Sequence, residues 1–250
     1  MRLCTLASGS SGNSLFVETR GARVLIDAGI SPRQLKSRLE TIGVDMSEID
    51  CILVTHEHTD HVAALKYVDI PVYIASPTVH LWKDEVKIIR EFDSGRPFFI
   101  KDMCVIPFSI PHDGIEPVGF RLETEGIKIG VVTDIGCVTN LVRERLSGLD
   151  ALLLEFNHDE DMLIAGPYPW DLKQRIKGRL GHLSNREAAE LLGYVIHEGL
   201  KCVVLAHLSE VNNTPELAQE AALSTLMGRE HNHIRLSIAP QRRLGEVIEL

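Results

Sequence analysis

Four side chains of metal-binding type fall within six residues of this sequence, directly after an apolar run. Residues 51–54 read Cys-Ile-Leu-Val, and His56, His58, Asp60 and His61 follow at once. Crowding imidazoles and carboxylates this tightly serves no ordinary packing purpose, because each buried polar group needs its own partner. In extended backbone, residues two apart point the same way. His56 and His58 can therefore share one ion through imidazole nitrogens about 2.0–2.1 Å from it. Asp60 and His61, where the chain turns toward a helix, can aim at a second ion a few ångströms away. Such a centre needs further ligands, and the sequence has candidates in equivalent places. His112 in FSIPHDG, Asp134 in VVTDIG and His207 in VVLAHLSE each stand just past an apolar run. Any fold of this chain must bring several strand ends to one edge, where loops on a rigid scaffold carry the chemistry. Histidine and carboxylate ligands without thiolate point to two divalent ions, zinc with manganese or iron as alternatives, and leave positions for water.

The rest of the chain reads as one α/β domain over residues 1–250. Strands are expected at 3–6, 15–18, 23–26, 51–54, 72–74, 103–108, 119–123, 128–132, 151–154, 202–205, 235–238 and 244–248. Helix starts are signposted by Ser31-Pro32 with Gln34 and by Ser184 with Glu187, both capping-box patterns. Thr214-Pro215 marks a third start and Ser76-Pro77 a fourth, opening a stretch through residue 92. Early hairpins followed by alternating strand and helix units predict two sheets packed face to face with helices outside. The 26 Lys+Arg against 35 Asp+Glu leave a net charge of −9, which argues against coating nucleic acid electrostatically but permits local contacts. No apolar run reaches the ~18–20 residues of a membrane span, and the N-terminus lacks a signal peptide's apolar stretch. A cytoplasmic protein with no membrane partner is expected. The five cysteines stand singly and read as reduced small hydrophobes, neither bridges nor zinc ligands.

THEHTDH carries the H-x-H-x-D-H pattern, and His112, Asp134 and His207 follow in matching order. In this the sequence resembles the metallo-β-lactamase superfamily. The resemblance implies an αββα sandwich with two metals. It implies that His56, His58 and His112 hold the first, that Asp60, His61 and His207 hold the second, and that Asp134 bridges them. Asp27 in VLIDAG matches an early aspartate that orients ligands without binding metal. The same residue also reads as an ordinary Asp ending a strand in a Gly turn.

Superfamily membership alone leaves the substrate open. GHLSNREAAELL followed by VVLAHLSE is similar to paired segments of the transfer-RNA 3′-processing nucleases, which implies His182 as proton donor to the leaving oxygen. A neutral histidine bonding a carbonyl is the alternative. Just upstream, WDLKQRIKGRLGH places Lys173, Arg175, Lys177 and Arg179 at every second residue, either a solvated face or a set of phosphate contacts. Ser184 and Asn185 join these as candidate substrate contacts. The early ASGSSGNS offers either backbone donors to a phosphate or a tight turn. The Pro-rich AGPYPWDLKQRIKGRLGHLSN and LASGSSGNS resemble the YycJ/WalJ group of this superfamily. That resemblance implies a phosphodiester hydrolase using a two-metal-bridged water, exonuclease-like and directed to DNA in preference to RNA, with Asp60 among its catalytic groups. Two other readings use the same ligands: a small-molecule thioester or lactone hydrolase, and a metal-binding protein without turnover. Glu155, Asn157 and His158 follow another apolar run without an assigned role, and His231 and His233 read as surface residues.

Overall fold

A computed structural model of the chain describes residues 1–81, 86–228, 231 and 233–250. The first half builds β1 (Arg2–Ala7), β2 (Ser14–Glu18), β3 (Arg23–Ile26), β4 (Cys51–Leu53), β5 (Val72–Ala75) and β6 (Ile89–Phe92). The second builds β7 (Phe98–Ile100), β8 (Met103–Ser109), β9 (Val118–Thr124), β10 (Ile127–Val132), β11 (Ala151–Glu155), β12 (Cys202–Ala206) and β13 (Arg235–Ile238). β14 (Val247–Glu249) returns to pair antiparallel with β1. The described strands form two sheets, β14-β1-β2-β3-β4-β5-β6 and β13-β12-β11-β10-β9-β8-β7. In each, antiparallel strands lead into parallel ones, from β3 to β6 and from β10 to β13. Parallel strands require crossovers, so their C-terminal ends all open onto one edge, where ligands collect in α/β sheets.

The period-2 rule explains the layering. Leu53 and Leu153 point into the layer between the sheets, with Val24, Phe120 and Val204. Their neighbours Ile52 and Val54 face outward onto Leu35 and Leu39 of α1 (Pro32–Thr41), while Leu152 and Leu154 face Val142, Leu192 and Leu226. Those last three lie on α3 (Asn140–Arg145), α6 (Asn185–Val195) and α7 (Pro215–Met227). The product is the αββα sandwich. Short helices α2 (Thr59–Val62), α4 (Glu160–Ala165) and α5 (Trp170–Lys177) lie nearer the functional edge.

The helix starts follow the local signals. Ser31 and Ser184 make complete capping boxes with Gln34 and Glu187, and Thr214 caps α7 with Pro215 in its first turn. The helix expected from Ser76 through residue 92 does not form. Ser76–Leu81 is a 3-10 helix, residues 82–85 lie outside the described residues, and Ile89–Phe92 is the parallel edge strand β6. The open edge of β5 decides this, because its backbone groups need partners that the next segment provides. β7 is also an addition to the expected strands, and the last strand starts at Val247, three residues later than residue 244. No described helix is long and apolar enough to cross a membrane. Cys4, Cys51 and Cys202 are buried thiols, Cys104 and Cys137 half-buried ones, and none is bridged.

Candidate metal centre and active site

The candidate ligands converge as the strand ends converge. His56 and His58 follow β4 in extended backbone; His58 is the N-cap of α2, whose single turn carries Asp60 and His61. His112 follows β8, Asp134 follows β10 and His207 follows β12. Ligand-type atoms of His56, His58 and His112 lie within 4.8 Å of one another, as do those of Asp60, His61 and His207. Asp134 stands between the sets. Its Oδ2 is 3.1 Å from His61 Nε2, and its Oδ1 is 3.9 Å from His112 Nε2 and 3.5 Å from His207 Nε2.

A chain-wide reason makes this arrangement costly without cations. His112 Nε2, His207 Nε2 and Asp134 Oδ2 are buried atoms with no aligned hydrogen-bond partner, even though Asp134 Oδ2 approaches His61. Orphaned buried donors and acceptors of this kind, all aimed at a shared space, fit divalent ions. The electrostatics show buried carboxylates drawing positive charge into this space. Burial by itself lowers the His207 pKa, yet Asp134, Asp60 and Glu155 outweigh it and raise it to about 10. Burial would raise the Asp134 and Asp60 carboxyls, but neighbouring histidines hold both well below the usual carboxylate range. Burial also keeps His56 well below its ordinary value, so that imidazole stays neutral as a ligand requires.

The back side of each imidazole is held as firmly as the front. Asp27, 3% exposed, accepts from His61 Nδ1 at 2.7 Å and from the Thr55 backbone and hydroxyl at 2.8 and 2.9 Å. The ring hydrogen bond fixes the His61 tautomer and leaves Nε2 facing the centre. His112 Nδ1 donates to the Gly181 carbonyl at 3.1 Å. Asp27, Asp134 and His207 all adopt φ between 54° and 61°. Left-handed backbone at non-glycine residues is strained, and three cases at strand ends around one centre mark where packing has forced side chains into place. Gly29, which follows β3, allows the tightest approach: a Cβ there would sit 1.6 Å from the carbonyl oxygen of Asp60 in α2.

His182 lies beside the centre, its Nδ1 2.8 Å from Glu155 Oε1 and 3.6 Å from Asp134 Oδ1. Burial lowers its pKa, but Glu155 outweighs burial and shifts it upward. Glu155 is fully buried at the end of β11. It also accepts from His207 Nδ1 at 3.0 Å and from the backbone N–H groups of Ile135 and Leu183. Asn157 and Asn13 extend the network: Asn157 donates to the His207 carbonyl, and Asn13 Nδ2 lies 3.0 Å from His61 Nε2. Ser8 accepts the His207 backbone N–H at 2.7 Å. ASGSSGNS is thus a turn whose polar side chains brace the centre across the two sheets. The signal for Glu155 was its place after an apolar run, the same place that marked His112 and His207.

The candidate substrate contacts divide. Lys173 is buried and donates through Nζ to the Ile164 and Gly166 carbonyls at 2.6 and 2.7 Å. Ser184 is committed to the α6 capping box and to Glu160, and Asn185 is buried against Asn213. All three hold the scaffold and present no polar group to a ligand. Alternation was misleading because residues 170–177 are helical, where positions two apart point to nearly opposite sides. Arg175 pairs with Asp113, Nε to Oδ2 at 2.7 Å, and Asp113 Oδ1 lies 3.2 Å from His112 Nε2. Lys177 and Arg179 are exposed. Arg179 lies near the centre, because its carbonyl carbon and oxygen pack against Gly136, two residues past Asp134. His231 and His233 sit with Glu198 as a separate group away from the centre.

The family model described as "Beta-lactamase superfamily domain" matches residues 22–207. Exodeoxyribonuclease YycJ of Bacillus anthracis is 34% identical over 90% of this chain and 89% of its own length. Exodeoxyribonuclease WalJ of Streptococcus pneumoniae is 35% identical over 88% of this chain and 86% of its own length. The metallo-β-lactamase fold protein YhfI of Bacillus subtilis superposes with a TM-score of 0.77 at 14% identity, covering 100% of this chain and 99% of that one.

Proposed function

The chain belongs to the β-lactamase superfamily and within it to the YycJ/WalJ group, and from that premise we propose that it is a metal-dependent phosphodiester hydrolase that shortens DNA from an end. The observation that carries this reading is the pair of three-residue ligand sets around Asp134, with His182 beside them on a buried carboxylate. His56, His58 and His112 would hold one divalent ion, Asp60, His61 and His207 the other, with Asp134 between them. Zinc suits these ligands best, with manganese and iron as alternatives. Bound there, the ions supply Lewis acidity toward phosphoryl oxygens and a water acidified to near-neutral pKa.

The chain's own residues supply position and the second proton transfer. Asp27 and Glu155 orient His61 and His207 through their Nδ1 atoms. Glu155 also occupies His182 Nδ1, which leaves Nε2 as the atom that donates to the departing sugar oxygen. Arg179 and Lys177, exposed beside this edge, would meet flanking phosphates. Arg175 acts through Asp113, which it holds against His112.

Elemental analysis together with cleavage of end-labelled single- and double-stranded DNA and RNA tests the reading, with zinc or manganese added. About two ions per chain and metal-dependent shortening of DNA from one end, faster than RNA, are expected. Two ions with every polymer intact, and a thioester or lactone turned over, would instead make it a small-molecule hydrolase.

A further inference from the structure

A cavity of about 280 Å³ opens beside His182, and the segment 168–182, which contains α5, supplies much of its wall. Tyr168, Leu172 and Ile176 form an apolar side, all half-buried; Ser10, Ser209 and Asn157 face them with small polar groups. Its volume is just below the roughly 300–1,000 Å³ usual for ligand pockets, so it has room for one small group such as a single nucleoside. Two cationic groups stand in the lining, each paired with a carboxylate: Arg175 with Asp113 and His182 with Glu155. A phosphate would therefore meet the Asp113 carboxylate beside cations already paired, whereas a neutral sugar and base would meet an aromatic face and hydroxyls.

The backbone at Tyr168 is also restrained. The residue stands between Pro167 and Pro169, which restrict its own backbone and that of its neighbours. Lys173, buried beneath, ties the first turns of α5 to the end of α4 through the Ile164 and Gly166 carbonyls. An aromatic side chain on a restrained backbone offers a stacking face with a reduced backbone ordering cost on binding.

Resting on the hydrolase reading above, we infer that this cavity seats the nucleoside on the leaving side of the scissile phosphodiester, with its base stacked on Tyr168. The side is assigned because His182, the proton donor to the leaving oxygen, lines the same cavity. Phosphates on the strand lie outside it, toward Arg179. Base stacking on an aromatic residue is worth enough to change affinity about tenfold, and it requires a base without regard to its identity.

The test pairs a change in the protein with a change in the DNA. Single-stranded oligonucleotides are prepared with intact ends or with an abasic tetrahydrofuran unit at the 5′ or the 3′ end, and fluorescence anisotropy measures binding to the metal-loaded chain. A His182→Ala background, used for every strand and variant alike, slows cutting enough for the measurement. Tyr168→Ala should weaken binding of the intact strand about tenfold and leave the strand abasic at the reacting end unchanged, while Tyr168→Phe keeps the intact-strand affinity. In steady state the same loss should enter KM more than kcat. Equal weakening of intact and abasic strands, or no weakening of either, overturns this assignment while leaving the hydrolase reading standing. A wild-type chain that neither binds nor cuts DNA overturns both, and that result is visible before any variant is made.

Discussion

Replacing Glu155 by Gln isolates the charge of a fully buried side chain at nearly constant volume. In the native structure its Oε1 accepts from His182 Nδ1 at 2.8 Å and His207 Nδ1 at 3.0 Å, and its Oε2 accepts from Ile135 and Leu183 N–H at 2.9 and 3.3 Å. Glutamine keeps a single acceptor oxygen. If that oxygen serves the two backbone donors, the amide nitrogen faces two histidines that were themselves donating. His207 then relieves the donor-donor conflict by moving its proton from Nδ1 to Nε2, and His182 does so by giving up the proton on Nδ1. A protonated Nε2 cannot bind metal, so His207 loses its ligand atom, and His182 loses the carboxylate that kept it protonated. One charge-assisted hydrogen bond forfeited at a ligand is worth about 2 kcal/mol, or roughly 30-fold in affinity for the second ion. Turnover should fall further, because the proton donor is weakened as well. The assay is metal content after dialysis against a graded chelator, followed by kcat/KM at saturating metal. Wild-type metal retention together with wild-type turnover in Glu155→Gln would refute the tautomer argument, and loss of turnover alone would confine Glu155 to His182.

Four further variants have outcomes set by the structure. His182→Ala should keep about two ions per chain while turnover falls by roughly 10²–10⁴; loss of metal by elemental analysis would make His182 a ligand. Lys173→Met should lower stability by about 1–3 kcal/mol in chemical denaturation, since two carbonyls lose their donor, without changing the salt dependence of DNA binding. Arg179→Ala should reduce that salt dependence and leave stability alone, and the reverse pattern would restore Lys173 as a phosphate contact. Burial pushes the Cys51 thiol up to about 12 and those of Cys4 and Cys202 to about 11. The folded state holds these protons more tightly than the unfolded one, so their contribution is intact below about pH 8.5 and is lost as pH rises from there toward 11–12. Cys51→Ala should remove up to about 1.4 kcal/mol per pH unit from the alkaline slope of unfolding free energy, and an unchanged slope would reject the buried-thiol account.

Much of the active edge is legible from residue type and spacing alone. His56, His58, Asp60 and His61 announce themselves because ligation depends on donor chemistry, which a local segment carries with it. His112, Asp134 and His207 follow from the same reasoning, since a polar residue after an apolar run sits at a strand end wherever the strand packs. The capping boxes at Ser31 and Ser184 were equally readable, as one turn of backbone contains both partners. Residues 89–92 were not, because β6 exists only through the unpaired edge of β5.

Which atom a buried polar side chain spends, and on whom, was decided by tertiary structure. Lys173 reads as a phosphate contact until α4 brings the Ile164 and Gly166 carbonyls against its ammonium group. Ser184 and Asn185 read as substrate contacts until a capping box and Asn213 consume them. Glu155 had no readable role until His182 and His207, 27 and 52 residues away, met on its carboxylate. The sequence by itself determined the donor set, the strand ends that carry it and the alternation that makes two layers, because these depend on chemistry and period within a few residues. Only the packed fold decided who orients the donors, which cations stay at the surface and where a cavity opens beside them. Desolvation makes every buried polar group find a partner, and the partners come from wherever the chain returns.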